Sequence, residues 1–256
     1  MAGGLVFAAA VAATADAGAA VLTGSVTTTA PANVNLTSEG TIDWAIWDYQ
    51  AGTAGTSGVP SNRKSGGSAI GTVTAVLGTP RGITGTLTPP TYTYTNGTSP
   101  ASATGATIGA ITDTSINAVG SGVRLNISGD PTKVEVVRLY VAGFNAVGTL
   151  SAQLNGATTY VDSSASYGGN RTGSVYTLSF QPNTAADQLQ VSYTIQSLNT
   201  GGNANVDLQA VTVGVPEPAG AGLLAVAAAG FLTRRRRRVN RCPAVYAAPQ
   251  PAFRPA

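Results

Sequence analysis

Chemistry-bearing side chains crowd into one stretch, Val34–Tyr49 (VNLTSEGTIDWAIWDY). It holds both tryptophans, one tyrosine, and Glu39, Asp43 and Asp48, three of the nine acids between residues 24 and 214. If Thr41–Trp47 is a strand, alternate side chains take opposite faces. Ile42, Trp44 and Ile46 then share one side, and Asp43, Ala45 and Trp47 the other. Trp44 is expected in the core. Trp47, beside Asp43 and Asp48, is a candidate sugar-binding platform. An aromatic ring stacks on the apolar face of a pyranose while carboxylates accept its hydroxyl hydrogens. The competing expectation for Trp47 is packing under the 88–105 loop, which supplies Tyr92 and Tyr94 as further ligand-binding candidates.

Catalysis has few routes here. The chain has no His and a single Cys, Cys242. It can build no Ser-His-Asp triad, no imidazole base and no cysteine metal cluster. Glu39 and Asp43 lie four apart, and Asp43 and Asp48 five apart. Such a pair could hydrolyse a glycoside only if held roughly 5–9 Å apart. Solvation or loop capping is the default expectation for these acids, so no catalytic residue is assigned and no cofactor is expected. Calcium stays open at Asp113 or Asp130, because jelly rolls can hold it with carbonyls and an Asp. No D-x-D-x-D-G spacing occurs.

The formal charge of +3 hides an asymmetry. Residues 24–214 carry seven basic and nine acidic side chains, whereas everything after residue 233 carries seven Arg and no acid. Nucleic-acid binding needs basic residues patterned on a folded surface, so no nucleic-acid partner is expected.

The elements that must position these residues read as strands. Thr149–Leu154, Gln188–Gln196 and Val123–Ile127 alternate apolar and polar residues, and Tyr176, Leu178 and Phe180 form another apolar face. Val206, Leu208 and Ala210 form a last one. Lys133–Val141 is apolar on both faces and is expected to be a central strand. Asn155-Gly156 predicts a type I′ hairpin turn. No stretch of residues 20–214 carries a 3.6-residue period. Residues 51–69 and 88–105, rich in Gly, Ser, Thr and Pro, read as long loops. Residues 20–214 are therefore expected to form one all-β, antiparallel, jelly-roll-like β-sandwich.

Both ends read as targeting segments. Leu5–Ala13 is a short apolar run with small-x-small sites after it, so residues 1–19 are expected to be a signal peptide. No basic residue precedes Arg63, which suggests a start codon further upstream. At the other end, Pro216, Glu217 and Pro218 precede residues 219–233, which are uncharged. Arg234, Arg235, Arg236, Arg237 and Arg238 follow. A helix over 219–233 would be roughly 22 Å long, short of a ~30 Å hydrocarbon core. The arginine block is expected to act as a cytoplasmic stop and to snorkel across part of the shortfall.

In that order, the motif, apolar helix and arginine cluster of residues 215–238 resemble the PEP-CTERM sorting signal of Gram-negative bacteria. The resemblance implies export, transient inner-membrane anchoring through residues 219–233, and processing by an exosortase. It also implies a final place at the cell surface or in the extracellular matrix, with exopolysaccharide or biofilm production. Residues 239–256, an expected disordered cytoplasmic tail, depart from the family pattern, which ends at the arginines.

The middle of the chain resembles a module of bacterial surface proteins. The matching features run in order: Glu39-Gly40 with Asp43, Trp44 and Trp47, then Arg63-Lys64, Tyr94–Thr98, Arg138–Leu150 and Asp207–Val213. The resemblance implies a jelly-roll, galactose-binding-like domain. Together these readings point to an exported, non-catalytic polysaccharide-binding or adhesive module. The alternatives are a structural matrix or coat component without a discrete ligand and, less favoured, a carboxylate-only glycoside hydrolase.

Overall fold

The computed structural model describes residues 20–47, 58–83, 90–106, 109–154, 158–170, 172–199 and 202–216. The chain opens with β1 (Val21–Thr27), β2 (Asn33–Asn35), a single helical turn α1 (Leu36–Glu39) and β3 (Asp43–Ile46). Short strands follow: β4 (Asn62–Arg63), β5 (Thr74–Ala75), β6 (Pro80–Ile83), β7 (Thr91–Tyr94), β8 (Ala103–Ala106) and β9 (Ala110–Asp113). The longer strands come last. They are β10 (Gly122–Ser128), β11 (Glu135–Phe144), β12 (Ala146–Leu154), β13 (Thr158–Asp162), β14 (Thr172–Gln181), β15 (Gln188–Leu198) and β16 (Asn205–Gly214).

These strands form three sheets. The largest has eight strands along the path β1-β14-β11-β16-β3-β4, with β9 pairing β16 and β6 pairing β9. The second runs β13-β12-β15-β10-β5, and the third is β2-β7-β8. The long strands pair antiparallel, whereas β2 and β7 are parallel.

One main core lies between the two large sheets. Leu139, Tyr176, Leu178, Phe180 and Val211 from the first meet Val123, Leu125, Ile127, Leu150, Leu154 and Val191 from the second. The fold is thus all-β and consistent with a β-sandwich. Its inner faces follow the alternation in the sequence: β12 is buried at every second residue from Ala146 to Leu154. β11 passes to β12, and so from one sheet to the other, through a single residue, Asn145, at φ 49°. Asn adopts this left-handed geometry more readily than most residues. Its N–H donates to Gly168 O at 2.9 Å, which anchors the corner.

A second core lies on the outer face of the eight-stranded sheet. There Trp44, Ile46, Tyr140, Val175 and Ala210 pack against Val34, Leu36, Tyr92 and Tyr94. The small sheet and α1 supply the cover. α1 is capped by Asn35, whose side chain accepts from the Ser38 N–H at 3.2 Å. This third layer explains why β11 is central, flanked by β14 and β16. It also corrects the one-faced reading of Val206, Leu208 and Ala210, because all ten residues of β16 are buried, Asp207 and Gln209 among them.

Two loop expectations change as well. Within 88–105, β7 and the start of β8 form sheet, and the 51–69 segment contributes β4. The β12–β13 hairpin is present, with Leu154↔Thr158 its last pair. That leaves three residues between the strands rather than two; Asn155-Gly156 itself lies outside the described residues.

The contact pattern divides the chain into Met1–Pro216 and Glu217–Ala256. The second unit, with Glu217, Pro218, the 219–233 segment and Arg234–Arg238, lies outside the described residues, as does the 1–19 segment. Among the described residues no helix is long and apolar enough to cross a membrane.

Candidate functional site: an open polar sheet face

The expected sugar platform is not at the surface. β3 is squeezed between the two cores, so both of its faces are covered. Trp47 is only 3% exposed, and its indole N–H donates to Gly58 O at 2.9 Å. Its ring belongs to the main core, so it offers no face for a pyranose, and its cover is not the 88–105 segment. Tyr92 and Tyr94 pack on the opposite side, with Trp44. The Trp44 and Tyr94 ring centroids are 4.7 Å apart, and Tyr92 meets Tyr140 edge-on at 5.7 Å. Both hydroxyls are used internally. Tyr92 donates to Gln209 Oε1 at 3.0 Å, and Tyr94 accepts from Asn62 Nδ2 at 3.0 Å. Asp48 lies outside the described residues.

Asp43 is fully buried and serves as a structural lock. Its Oδ2 accepts from Arg63 Nη2 and from the Ile70 N–H, each at 3.0 Å, and Oδ1 accepts from the Trp44 N–H at 2.8 Å. A Cβ at Gly67 would lie 1.9 Å from Oδ1, so the turn over this carboxylate requires glycine. Arg63 also donates to Ile70 O at 3.1 Å, and Lys64 Nζ donates to the Gly40 and Thr41 carbonyls. Asn96 accepts from the Trp44 indole N–H at 2.9 Å. Asn62 accepts from the Thr98 N–H and hydroxyl at 3.0 and 2.9 Å. The residues of the surface-module resemblance thus meet in space, and what they do there is tie β3, β4 and β7 together.

The other candidate acids are similarly engaged. Glu39 accepts from the Tyr140 hydroxyl and lies 3.9 Å from Arg138 Nη1. Burial, and then the Glu39 charge, pushes the Tyr140 pKa up, which keeps that hydroxyl a donor. Asp113 is fully buried and accepts from the N–H groups of Leu77 (2.8 Å), Gly78 (2.9 Å) and Ser115 (2.9 Å). Burial alone would raise its pKa; the N–H donors outweigh that and hold it below the ordinary value. An anion whose lone pairs face N–H donors is poorly placed to bind calcium. Asp130 is committed to Thr132 and Lys133. Among the described residues no group of three or more His, Cys, Asp or Glu is placed to hold a metal.

The accessible chemistry lies on the opposite side of the molecule's main core, on the outer face of the five-stranded sheet. There β10 turns Arg124, Asn126 and Ser128 outward between buried Val123, Leu125 and Ile127. Antiparallel register sets Asn126 opposite Gln190 and Arg124 opposite Ser192, and on the far side of β15 Gln190 and Ser192 face Gln153 and Ser151 of β12. Segment 68–74 runs beside β10 as a wall. Ser128 N–H donates to Ala69 O and Gly71 N–H to Asn126 O, each at 2.9 Å, and Thr74 pairs with Arg124. A Cβ on Gly71 would sit 2.9 Å from Asn126 O, so glycine permits this close approach. Wall and sheet enclose an open groove of about 330 Å³, lined by hydroxyl, amide and backbone groups with Arg124 as its one cation among the described residues. Gln190 Nε2 reaches Asn126 Oδ1 at 3.5 Å, and Gln188 Nε2 reaches Ser128 Oγ at 3.3 Å. These long contacts leave most of the amide capacity facing solvent.

The signal for this site was in the alternation. The residues of Gln188–Gln196 that do not face the core are all Gln, Ser or Thr. Such residues also cover ordinary solvated sheet faces, so composition alone did not single them out. No protein-family model, curated protein or solved structure shows a significant match to this chain.

Proposed function

We propose that this chain is an exported, non-catalytic surface or matrix protein whose jelly-roll-like β-domain binds polysaccharide on the outer face of the five-stranded sheet. One observation carries the reading. A groove of about 330 Å³ is lined by Asn126, Ser128, Gln188 and Gln190 with a wall of Ser68, Thr72 and Thr74. Hydroxyls and amides both donate and accept, so they match the hydroxyl pattern of a sugar. A flat, open groove suits a chain better than a small closed ligand, which would call for a deep apolar pocket. Delivery rests on the sequence alone: the Pro216-Glu217-Pro218 motif, the uncharged 219–233 segment and the arginines after it.

Affinity electrophoresis in gels cast with a panel of polysaccharides tests the binding. The domain is expected to be retarded by at least one polymer, and an Asn126→Ala/Gln190→Ala double variant to run freely. A domain retarded by none of them favours the alternative, a structural matrix component without a discrete ligand. For delivery, intact-mass analysis of the protein released from exosortase-bearing cells should show residues 219–256 removed. Their retention refutes the sorting proposal without touching the binding one.

A further inference from the structure

The groove also carries a charge signature, and it rests on the polysaccharide reading above. Arg124 is exposed at the middle of β10 and, among the described residues, is the only charged one lining the groove. Among the described residues no ion pair engages it, whereas Arg63, Lys133 and Arg138 each lie beside an acid. The nearest acids in sequence to the far end of the groove are already committed. Asp130 holds Thr132 and Lys133, and Asp187 accepts from the N–H groups of Asn183 and Thr184 at 3.1 and 3.0 Å. The groove therefore presents a guanidinium fork, flanked by neutral donors, with no carboxylate among the described residues that line it.

A guanidinium recognises a carboxylate through two parallel N–H···O bonds. The domain as a whole cannot supply a generic pull on polyanions, because residues 24–214 carry nine acids against seven bases. The geometry points to an acidic polysaccharide, one bearing uronic-acid carboxylates, as the ligand. Arg124 reads the carboxylate while Asn126 and Gln190 bond the hydroxyls of the adjoining sugar. Net repulsion at long range and attraction at one point favour selectivity over affinity, and make binding dependent on this one side chain.

The test compares retention of the whole domain by polygalacturonate, by the same polymer fully methyl-esterified, and by single-stranded DNA. The expected result is preference for polygalacturonate over both. Arg124→Gln should weaken that binding about tenfold, the loss of one charge-assisted contact, and should leave the esterified polymer unaffected. Arg124→Lys, which keeps the charge but not the fork, should fall between. Arg81→Gln removes an equal charge outside the groove and should change nothing. Equal retention by acid and ester, a preference that survives Arg124→Gln, equal losses in Arg81→Gln, or equal retention by DNA each overturn the acidic assignment while leaving polysaccharide binding standing. Retention by neither polymer, nor by any other glycan of the panel, overturns both.

Discussion

The buried strand β3 and the open face of β10 and β15 divide the molecule's polar chemistry between them. Around β3 most polar groups are satisfied, with Arg63 Nε the exception: the Asp43 carboxylate, the Asn62 amide and the Trp44 indole each have partners at 2.8–3.0 Å. On the β10–β15 face the amides touch at 3.3–3.5 Å and otherwise face water. The difference follows from burial. An unsatisfied polar group inside a protein costs about 1–3 kcal/mol, so an interior network must close on itself. A solvated face carries no such penalty and can keep its bonding capacity for a ligand. The most distinctive residues of the sequence are thus distinctive because folding demands them, and the plainest ones are available for recognition.

Substitutions should separate the two regions sharply. Trp44→Ala, at a fully buried position touching Tyr94, should cost about 3–5 kcal/mol in denaturant unfolding. A loss below 1 kcal/mol would mean that the second core contributes little. Asp43→Asn should cost about 2–3 kcal/mol, because it leaves Arg63 facing a neutral amide. Arg63 is 29% exposed, so water offsets part of the penalty. The Asp43→Asn/Arg63→Met double variant should recover some of the loss, and strict additivity would break the assignment of a lock.

Acid titration probes the same contrast at Asp113. Its carboxyl pKa is held down, so its stabilising contribution is fully present above the ordinary carboxylate value of about 4. That contribution is lost as pH falls through the lower, folded-state value. Asp113→Asn should lower stability at pH 7 by about 2 kcal/mol and flatten the acid limb of the stability curve. An unchanged acid limb argues against a buried, N–H-held anion. Gln190→Ala, on the open face, should shift stability by less than about 0.5 kcal/mol while reducing glycan retention. A destabilisation as large as that of Asp43→Asn would erase the distinction between the two regions.

Much of the fold was legible locally. The alternations in Val123–Ile127, Thr149–Leu154 and Gln188–Gln196 became inner faces of β10, β12 and β15. The two-faced apolar run at Lys133–Val141 became the central β11. The expected site was less legible. Asp43, Trp47, Tyr92 and Tyr94 have the residue types of a sugar site, and only their burial removes them from the surface.

The sequence by itself determined the long alternating strands β10, β12, β14 and β15 and which side of each faces the core, because a period of two is a property of neighbouring residues. The tertiary structure alone decided which second faces are covered. The outer side of β3, β11 and β16 became core because a separate sheet, β2-β7-β8, packs over it. The outer side of β10 and β15 stayed open, and the register of strands 64 residues apart aligned Asn126 with Gln190. Covering and register both depend on long-range pairing, and local periodicity cannot report on either.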